Sequence, residues 1–292
     1  MEAGLRLGRH AFGDDQPLMM AIVNRTPDSF FDKGATWAED AAFARVAEVV
    51  AQGAEIVDIG GIKAAPGVEI SPAEEKARVV DFVARVRAAY PGLVISVDTW
   101  RAEVGAAVCA AGADVLNDAW GGADPELVDV AAEYDAALVC THTGGVTPRT
   151  RPYRIEYDGP GGVVAAAIAD TVAYAERALA AGVARESIVI DPAHDFGKNT
   201  FHSLEITRRL GEMVATGWPV LVSLSNKDFV GETLGLEVGE RLVGTLAATS
   251  VCALAGARIY RVHQVVETRQ TVDMVWSIAG RRPPLRAIRG LQ

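Results

Sequence analysis

Eight short apolar runs rich in β-branched residues alternate along the chain with longer Ala-rich stretches of helical period. The runs lie at 18–23, 56–59, 94–97, 115–117, 137–141, 188–190, 220–223 and 259–262. Runs this short and this apolar read as strands buried on both faces, and parallel neighbours of that kind must be joined by a crossover helix. Helix-period segments at 38–52, 73–90, 102–111, 163–181 and 238–255 lie between the runs, and 265–279 closes the chain. Eight strands and eight helices predict an α/β chain closed as a (β/α)8 barrel, one domain over 1–292 with 1–16 as a short N-terminal extension. An open doubly wound sheet shares the alternation and is the competing architecture. Gly53, Gly112, Gly182 and Gly256 each follow a helix and precede a strand, where glycine supplies a left-handed helix stop. The longest irregular stretch, 143–162, reads as a long loop after the fifth strand, of the sort that covers active sites.

Composition narrows the function. Half of the 292 residues are hydrophobic and 23% are charged, which excludes a disordered chain and supplies a closed core. A formal charge of −10 argues against nonspecific nucleic-acid binding, so phosphate recognition must come from a few groups placed in a cleft. Cys109, Cys140 and Cys252 are far apart and form no CxxC, which fits buried free thiols in a reducing cytoplasm. No apolar run approaches a membrane span in length, and the first 16 residues lack a signal-like core. These features predict a cytoplasmic protein, bound to neither membrane nor nucleic acid, with a small-molecule ligand.

Polar residues gather just after the apolar runs: Asn24, Asp58, Asp98, Asn117, Asp118, His142, Asp191, Ser225, Lys227, Arg261 and His263. Any one of them alone reads equally as a loop start or a helix cap. In a barrel, however, these places converge on one face. Asp98 and Asp191 end their runs, and two carboxylates with the amide of Asn117 can read a flat heterocycle of alternating donors and acceptors. Arg261 and His263 are two apart on an extended strand, hence on one side of it, where they could clamp an anion. The plainer alternative is a surface Arg beside a capping His. No HExxH, GxSxG, Walker A or GxGxxG pattern occurs.

The sequence Ile22-Val23-Asn24-Arg25-Thr26-Pro27-Asp28-Ser29-Phe30-Phe31-Asp32-Lys33-Gly34 resembles the first signature of the dihydropteroate synthase family. Ile56-Val57-Asp58-Ile59-Gly60-Gly61, continuing through Pro66-Gly67, resembles the second. The likeness continues in order through Ser96-Val97-Asp98-Thr99, Asn117-Asp118, Asp191-Pro192 with Phe196-Gly197-Lys198, Ser225-Asn226-Lys227 and Arg261-Val262-His263. It implies a barrel enzyme of folate biosynthesis that joins p-aminobenzoate to a dihydropterin diphosphate with Mg2+ and releases diphosphate. By resemblance, Asp98, Asn117, Asp191 and Lys227 would hold the pterin, while Asn24, Arg261 and His263 would hold the diphosphate, Asn24 also meeting the metal. Lys227, Arg261 and His263 would act in catalysis. Pro66, Phe196 and Ser225 would line the side taken by p-aminobenzoate or its sulfonamide and sulfone analogues. A homodimer built on the later barrel helices is implied in the same way.

The departures concentrate on the acceptor side. Where the family reads Gly-Gly-Glu-Ser-Thr-Arg-Pro-Gly, this chain has Gly60-Gly61-Ile62-Lys63-Ala64-Ala65-Pro66-Gly67, losing a hydroxyl and a guanidinium. Lys63 could restore charge but not a bidentate fork. Ser-Arg-Lys has become Ser225-Asn226-Lys227, and Asp195 stands where the family has Gly; facing the pocket, it would repel a benzoate. His142-Thr143 replaces His-Met, and Arg25 and Lys33 alter the first loop. These changes together predict a divergent second copy, with pterin recognition kept and condensation impaired or absent. The alternatives are a family transferase with another amine acceptor and a non-catalytic partner protein that keeps the barrel as a scaffold.

Overall fold

The computed structural model describes residues 4–25, 39–151 and 155–289. Residues 26–34 of the first motif, with Lys33, lie outside them, as does Ala38 at the start of the first helical stretch.

Eight parallel strands form one sheet: β1 (Leu18–Asn24), β2 (Ile56–Gly60), β3 (Val94–Asp98), β4 (Val115–Asp118), β5 (Ala137–Thr141), β6 (Ile188–Asp191), β7 (Leu221–Ser223) and β8 (Ile259–Val262). Their order runs β6-β5-β4-β3-β2-β1-β8-β7, and a parallel bridge between Ile190 and Val220 joins the two ends. The sheet is therefore a barrel, and the open-sheet alternative is excluded. Strand positions agree with the sequence because each run is buried on both faces, the one pattern that a doubly covered parallel strand permits.

Outside the strands lie α1 (Glu39–Ala51), α2 (Pro72–Ala89), α3 (Ala102–Ala110), α4 (Leu127–Glu133), α5 (Gly162–Ala180), α6 (Thr200–Val214), α7 (Asp228–Leu234), α8 (Leu242–Ala255) and α9 (Val265–Ile278). Ser71 caps α2 by accepting from the Glu74 amide, with Pro72 opening the helix. The stretch read from sequence as a helix over 238–255 is a 3-10 turn at Val238–Glu240 followed by α8. The four glycine stops all have positive φ, from 92° at Gly53 to 112° at Gly256.

The barrel interior is closed from below by an element not read from the sequence. Leu5–Leu7 and His10–Phe12 pair as an antiparallel hairpin. Its Leu5 and Leu7 pack against Leu18, Met20, Ile56, Val94, Val115 and Ile259 inside the barrel. Each leucine buried there stabilises the fold by about 1.5–3 kcal/mol. A second, larger core lies between strands and helices. With the lower end filled by leucines, the other end is left for polar chemistry.

Candidate functional site

Strand register builds the mouth of the barrel. Asn24 is level with Gly60, Gly60 with Asp98, and Asp98 with Asn117, a lateral row over four strands. One tier below, Asp58 is level with Ile22 and Ser96. Register partners in a parallel sheet face the same side, so both tiers point inward.

Above them opens a cavity of about 710 Å3. All of the residues assigned from sequence line it: Asn24, Pro66, Asp98, Asn117, Asp191, Phe196, Ser225, Lys227, Arg261 and His263. Their partners differ from what sequence could supply. Arg261 donates from Nε to Asp58 Oδ2 at 2.6 Å and from Nη2 to Asp98 Oδ2 at 3.0 Å. The guanidinium expected to pair with His263 is thus tied down by two carboxylates, and Nη1 is the edge without a bond among the described residues. His263 donates its backbone amide to Ser225 Oγ at 3.2 Å, and that hydroxyl donates to Gln264 Oε1 at 3.0 Å. Asp191 accepts from the Ala193 amide at 2.7 Å. Lys227 donates to the His194 carbonyl at 2.8 Å and sits 4.4 Å from the Phe196 ring centroid.

Three features carry weight that sequence reasoning did not give them. Asp58 is fully buried and also accepts from Ser96 Oγ at 2.6 Å and Asn117 Nδ2 at 3.2 Å, making it the hub under the site. A carboxylate inside an apolar run was the available signal, since a buried charge demands partners. Trp120 lines the cavity, edge-on to Phe196 at 5.3 Å and to Trp100 at 6.3 Å. Lys198 also lines it, buried, with Nζ donating to the carbonyls of His142 and Phe196.

Three residues of the polar roster lie outside the cavity lining: Asp58, beneath it, and two others. Asp118 is turned into the structure, accepting from the amides of Trp120 and Gly122 and from Tyr174 Oη. His142 is buried beside Asp170, and burial together with Lys198 pushes its ring down to about 2. Arg25 is buried over the Phe82 ring, 5.0 Å from its centroid.

Burial raises the Asp98 carboxyl to about 7, against the pull of Arg261, with Asp58 adding to the rise. Asp191 is raised by burial too, opposed by the Ala193 amide and Lys227. Burial lowers Lys198 to about 7, against Asp191. The site therefore holds one carboxyl, Asp98, and one amine, Lys198, that burial shifts from opposite sides toward neutrality.

On the acceptor side, Ile62, Lys63, Ala64, Ala65 and Pro66 line the cavity. Arg149 fixes this loop by donating to the carbonyls of Ala65 at 3.2 Å and Val68 at 2.6 Å. Asp195 lines the cavity on left-handed backbone, φ 69°, as do Ala193 at 49° and Asn226 at 58°. Its carboxylate accepts from Ser203 Oγ at 2.9 Å and from the Phe229 amide at 3.3 Å. Among the described residues no group of three His, Cys, Asp or Glu could hold a metal, and no helix is long and apolar enough to cross a membrane.

A parallel (β/α)8 barrel with buried carboxyls, amide and amines around a mouth cavity has the form of a barrel with a small-molecule site at the carboxyl ends of its strands. The sequence profile of pterin-binding enzymes matches residues 20–263, and the chain belongs to that family as a dihydropteroate synthase homologue. It is 59% identical to the inactive dihydropteroate synthase 2 of Mycobacterium tuberculosis over 97% of this chain and 89% of that protein. Among solved structures it is similar to the Yersinia pestis dihydropteroate synthase in complex with a sulfonamide drug, with a TM-score of 0.88 and 30% identity over 95% of this chain and 99% of that one. The Thermus thermophilus dihydropteroate synthase in complex with 4-aminobenzoate gives 0.80 and 35% over 94% and 99%.

Proposed function

We propose that this chain binds a dihydropterin diphosphate in the barrel mouth and condenses it with p-aminobenzoate weakly or not at all. The observation that carries the reading is the contrast between the two sides of one cavity: carboxyls, amide and amines on the pterin side, Ile62, Ala64 and Ala65 on the acceptor side.

In this reading Asp98, Asn117, Asp191 and Lys227 hold the pterin. The Asp98 carboxyl, raised by burial to about 7, can donate as well as accept near neutrality, which suits a ring presenting both. Arg261 Nη1, His263 and Asn24 hold the diphosphate. Asp58 and Asp98 keep the guanidinium aimed, so no side-chain freedom is lost when the anion arrives. Asp58 and Asp98 are engaged by Arg261, and Asn24 would be the residue that meets Mg2+, as the family resemblance implies. Such an ion supplies charge stabilisation on the departing diphosphate. On the acceptor side, Pro66, Phe196 and Ser225 bound the place for the amine, but the loop 62–65 offers neither hydroxyl nor guanidinium to fix its approach.

The chain's expected assembly is a homodimer. Val243, Ala247, Val251 and Leu254 form an exposed apolar stripe on α8, continued by Met274 and Ile278 on the adjacent α9. A second copy is the occupant that a self-complementary stripe of this kind fits. Three buried free cysteines support a cytoplasmic location.

The deciding experiment mixes purified protein with the pterin diphosphate, p-aminobenzoate and Mg2+, measuring both diphosphate and dihydropteroate, with pterin affinity from calorimetry. Turnover matching a housekeeping synthase would overturn the impairment. Absence of pterin binding would overturn the reading as a whole.

A further inference from the structure

Asp195 is unusual in two respects. It holds a left-handed backbone, φ 69°, and it lines the cavity. It is also anchored at three points: Oδ1 accepts from Ser203 Oγ, Oδ2 accepts from the Phe229 amide, and its own amide donates to Ser203 Oγ at 3.1 Å. It cannot swing clear of a ligand without breaking those bonds.

Three of the cations that line the cavity, Lys227, Lys198 and Arg151, hold other contacts, Lys227 being also the one whose charge bears most on Asp195. Lys227 donates to the His194 carbonyl and lies over Phe196. Lys198 donates to the carbonyls of His142 and Phe196. Arg151 lies 3.6 Å from Asp228. Asn226, which lines the same cavity, brings a neutral amide whose Nδ2 has no partner among the described residues.

We propose that Asp195 determines specificity for the second ligand, and that this end of the cavity selects an aryl amine carrying an uncharged carboxamide over one carrying a carboxylate. This rests on the pterin-site reading above. A carboxamide N–H donates to Asp195, and its uncharged carbonyl adds no like charge beside that carboxylate. A carboxylate in that place meets a fixed like charge and offers it no donor.

The test is calorimetry on the full chain saturated with a pterin, diphosphate and Mg2+, titrated with p-aminobenzamide and with p-aminobenzoate. Pterin binding is measured first and separately. The amide is expected to bind at least about tenfold more tightly than the benzoate. Asp195→Asn keeps the shape, and Asp195→Gly suits the left-handed backbone. Both are expected to narrow the preference by about tenfold. Equal or tighter benzoate binding, an unchanged ratio in both variants, or pterin binding with neither amine bound overturns the proposal. If pterin itself fails to bind, the underlying site reading falls first and this inference with it.

Discussion

Arg261 Nε donates to Asp58 Oδ2 across 2.6 Å, joining the eighth strand to the second directly beneath the cavity. The same carboxylate receives Ser96 and Asn117, so one buried charge sets the position of three side chains. Asp58→Ala leaves the guanidinium with Asp98 alone and strands two buried donors. Breaking a buried pair from one side costs about 3–5 kcal/mol. Urea unfolding is expected to show a loss of that size, accompanied by weaker pterin binding, because Asn117 and Arg261 lose their support. A variant as stable as the parent would show that the hub does not organise the site.

Asp191 and Asp118 separate binding from folding. Both are buried carboxylates after a strand, but Asp191 lines the cavity whereas Asp118 caps the turn at Trp120 and Gly122. Asp191→Ala is expected to weaken pterin binding by about 1.5–3 kcal/mol, the range for a hydrogen bond to a charged group. Asp118→Ala should act chiefly on stability. Equal calorimetric affinities for the parent and Asp191→Ala would remove Asp191 from the pterin site.

The sequence made the strands and the residues at their ends legible because period and burial are local properties of the chain. Asp98, Asn117 and Asp191 end short apolar runs, so barrel geometry alone brings them to one mouth. It did not make partners legible. Asp58 sits inside Ile56-Val57-Asp58-Ile59, and only closure of the barrel brings Arg261 to it from 203 residues away. The N-terminal hairpin escaped notice because three-residue strands carry little alternation, and Leu5 and Leu7 gain their meaning from the barrel they plug. Whether Asp195 faces the cavity depends on a left-handed φ that its residue type does not announce.

Asp98 gives the fold a measurable pH dependence. Its carboxyl is raised to about 7, whereas in an unfolded chain it titrates near about 3.9. The folded state therefore binds a proton that the unfolded state has released between those values. The contribution of Asp98 is fully present below about 3.9 and is lost as pH rises through about 7. Denaturation midpoints measured from pH 4 to 8 are expected to depend less steeply on pH in Asp98→Asn. Lys198, lowered to about 7, acts with the opposite sign, since its neutral folded form adds stability as pH climbs above 7. Superimposable pH profiles for parent and Asp98→Asn would contradict the assignment.

The outer stripe on α8 predicts assembly. Val251 and Leu254 are 46% and 59% exposed on a helix that is apolar on nearly every face, a pattern expected where a helix is covered. Val251→Glu with Leu254→Glu is expected to shift sedimentation from dimer to monomer while circular dichroism stays unchanged. A parent chain that sediments as a monomer at micromolar concentration would refute the homodimer.

The last expected outcome concerns the loop 62–65 and the turns that face it. Arg149 pins the backbone of this loop at Ala65 and Val68, so the loop is held in place while presenting side chains that cannot orient an amine. Loss of positioning of about 1 Å can cost about a hundredfold in rate even when binding survives. Rebuilding Ile62-Lys63-Ala64-Ala65 to Glu-Ser-Thr-Arg, together with Asn226→Arg and Asp195→Gly, supplies the missing hydroxyl and guanidinium and removes the anchored carboxylate. The backbone weighs unequally on these changes. Glycine at position 195 relieves a left-handed residue at the loss of the Ser203 and Phe229 bonds, whereas arginine at 226 must adopt φ near 58°, which asparagine tolerates better. The loop rebuild with Asp195→Gly is therefore expected to give most of the gain, and Asn226→Arg little until the turn relaxes. Dihydropteroate formation should rise at least about tenfold over the parent, a fraction of that positional penalty. A folded, pterin-binding rebuilt chain with no gain would move the cause to Arg25 and the loop after His142.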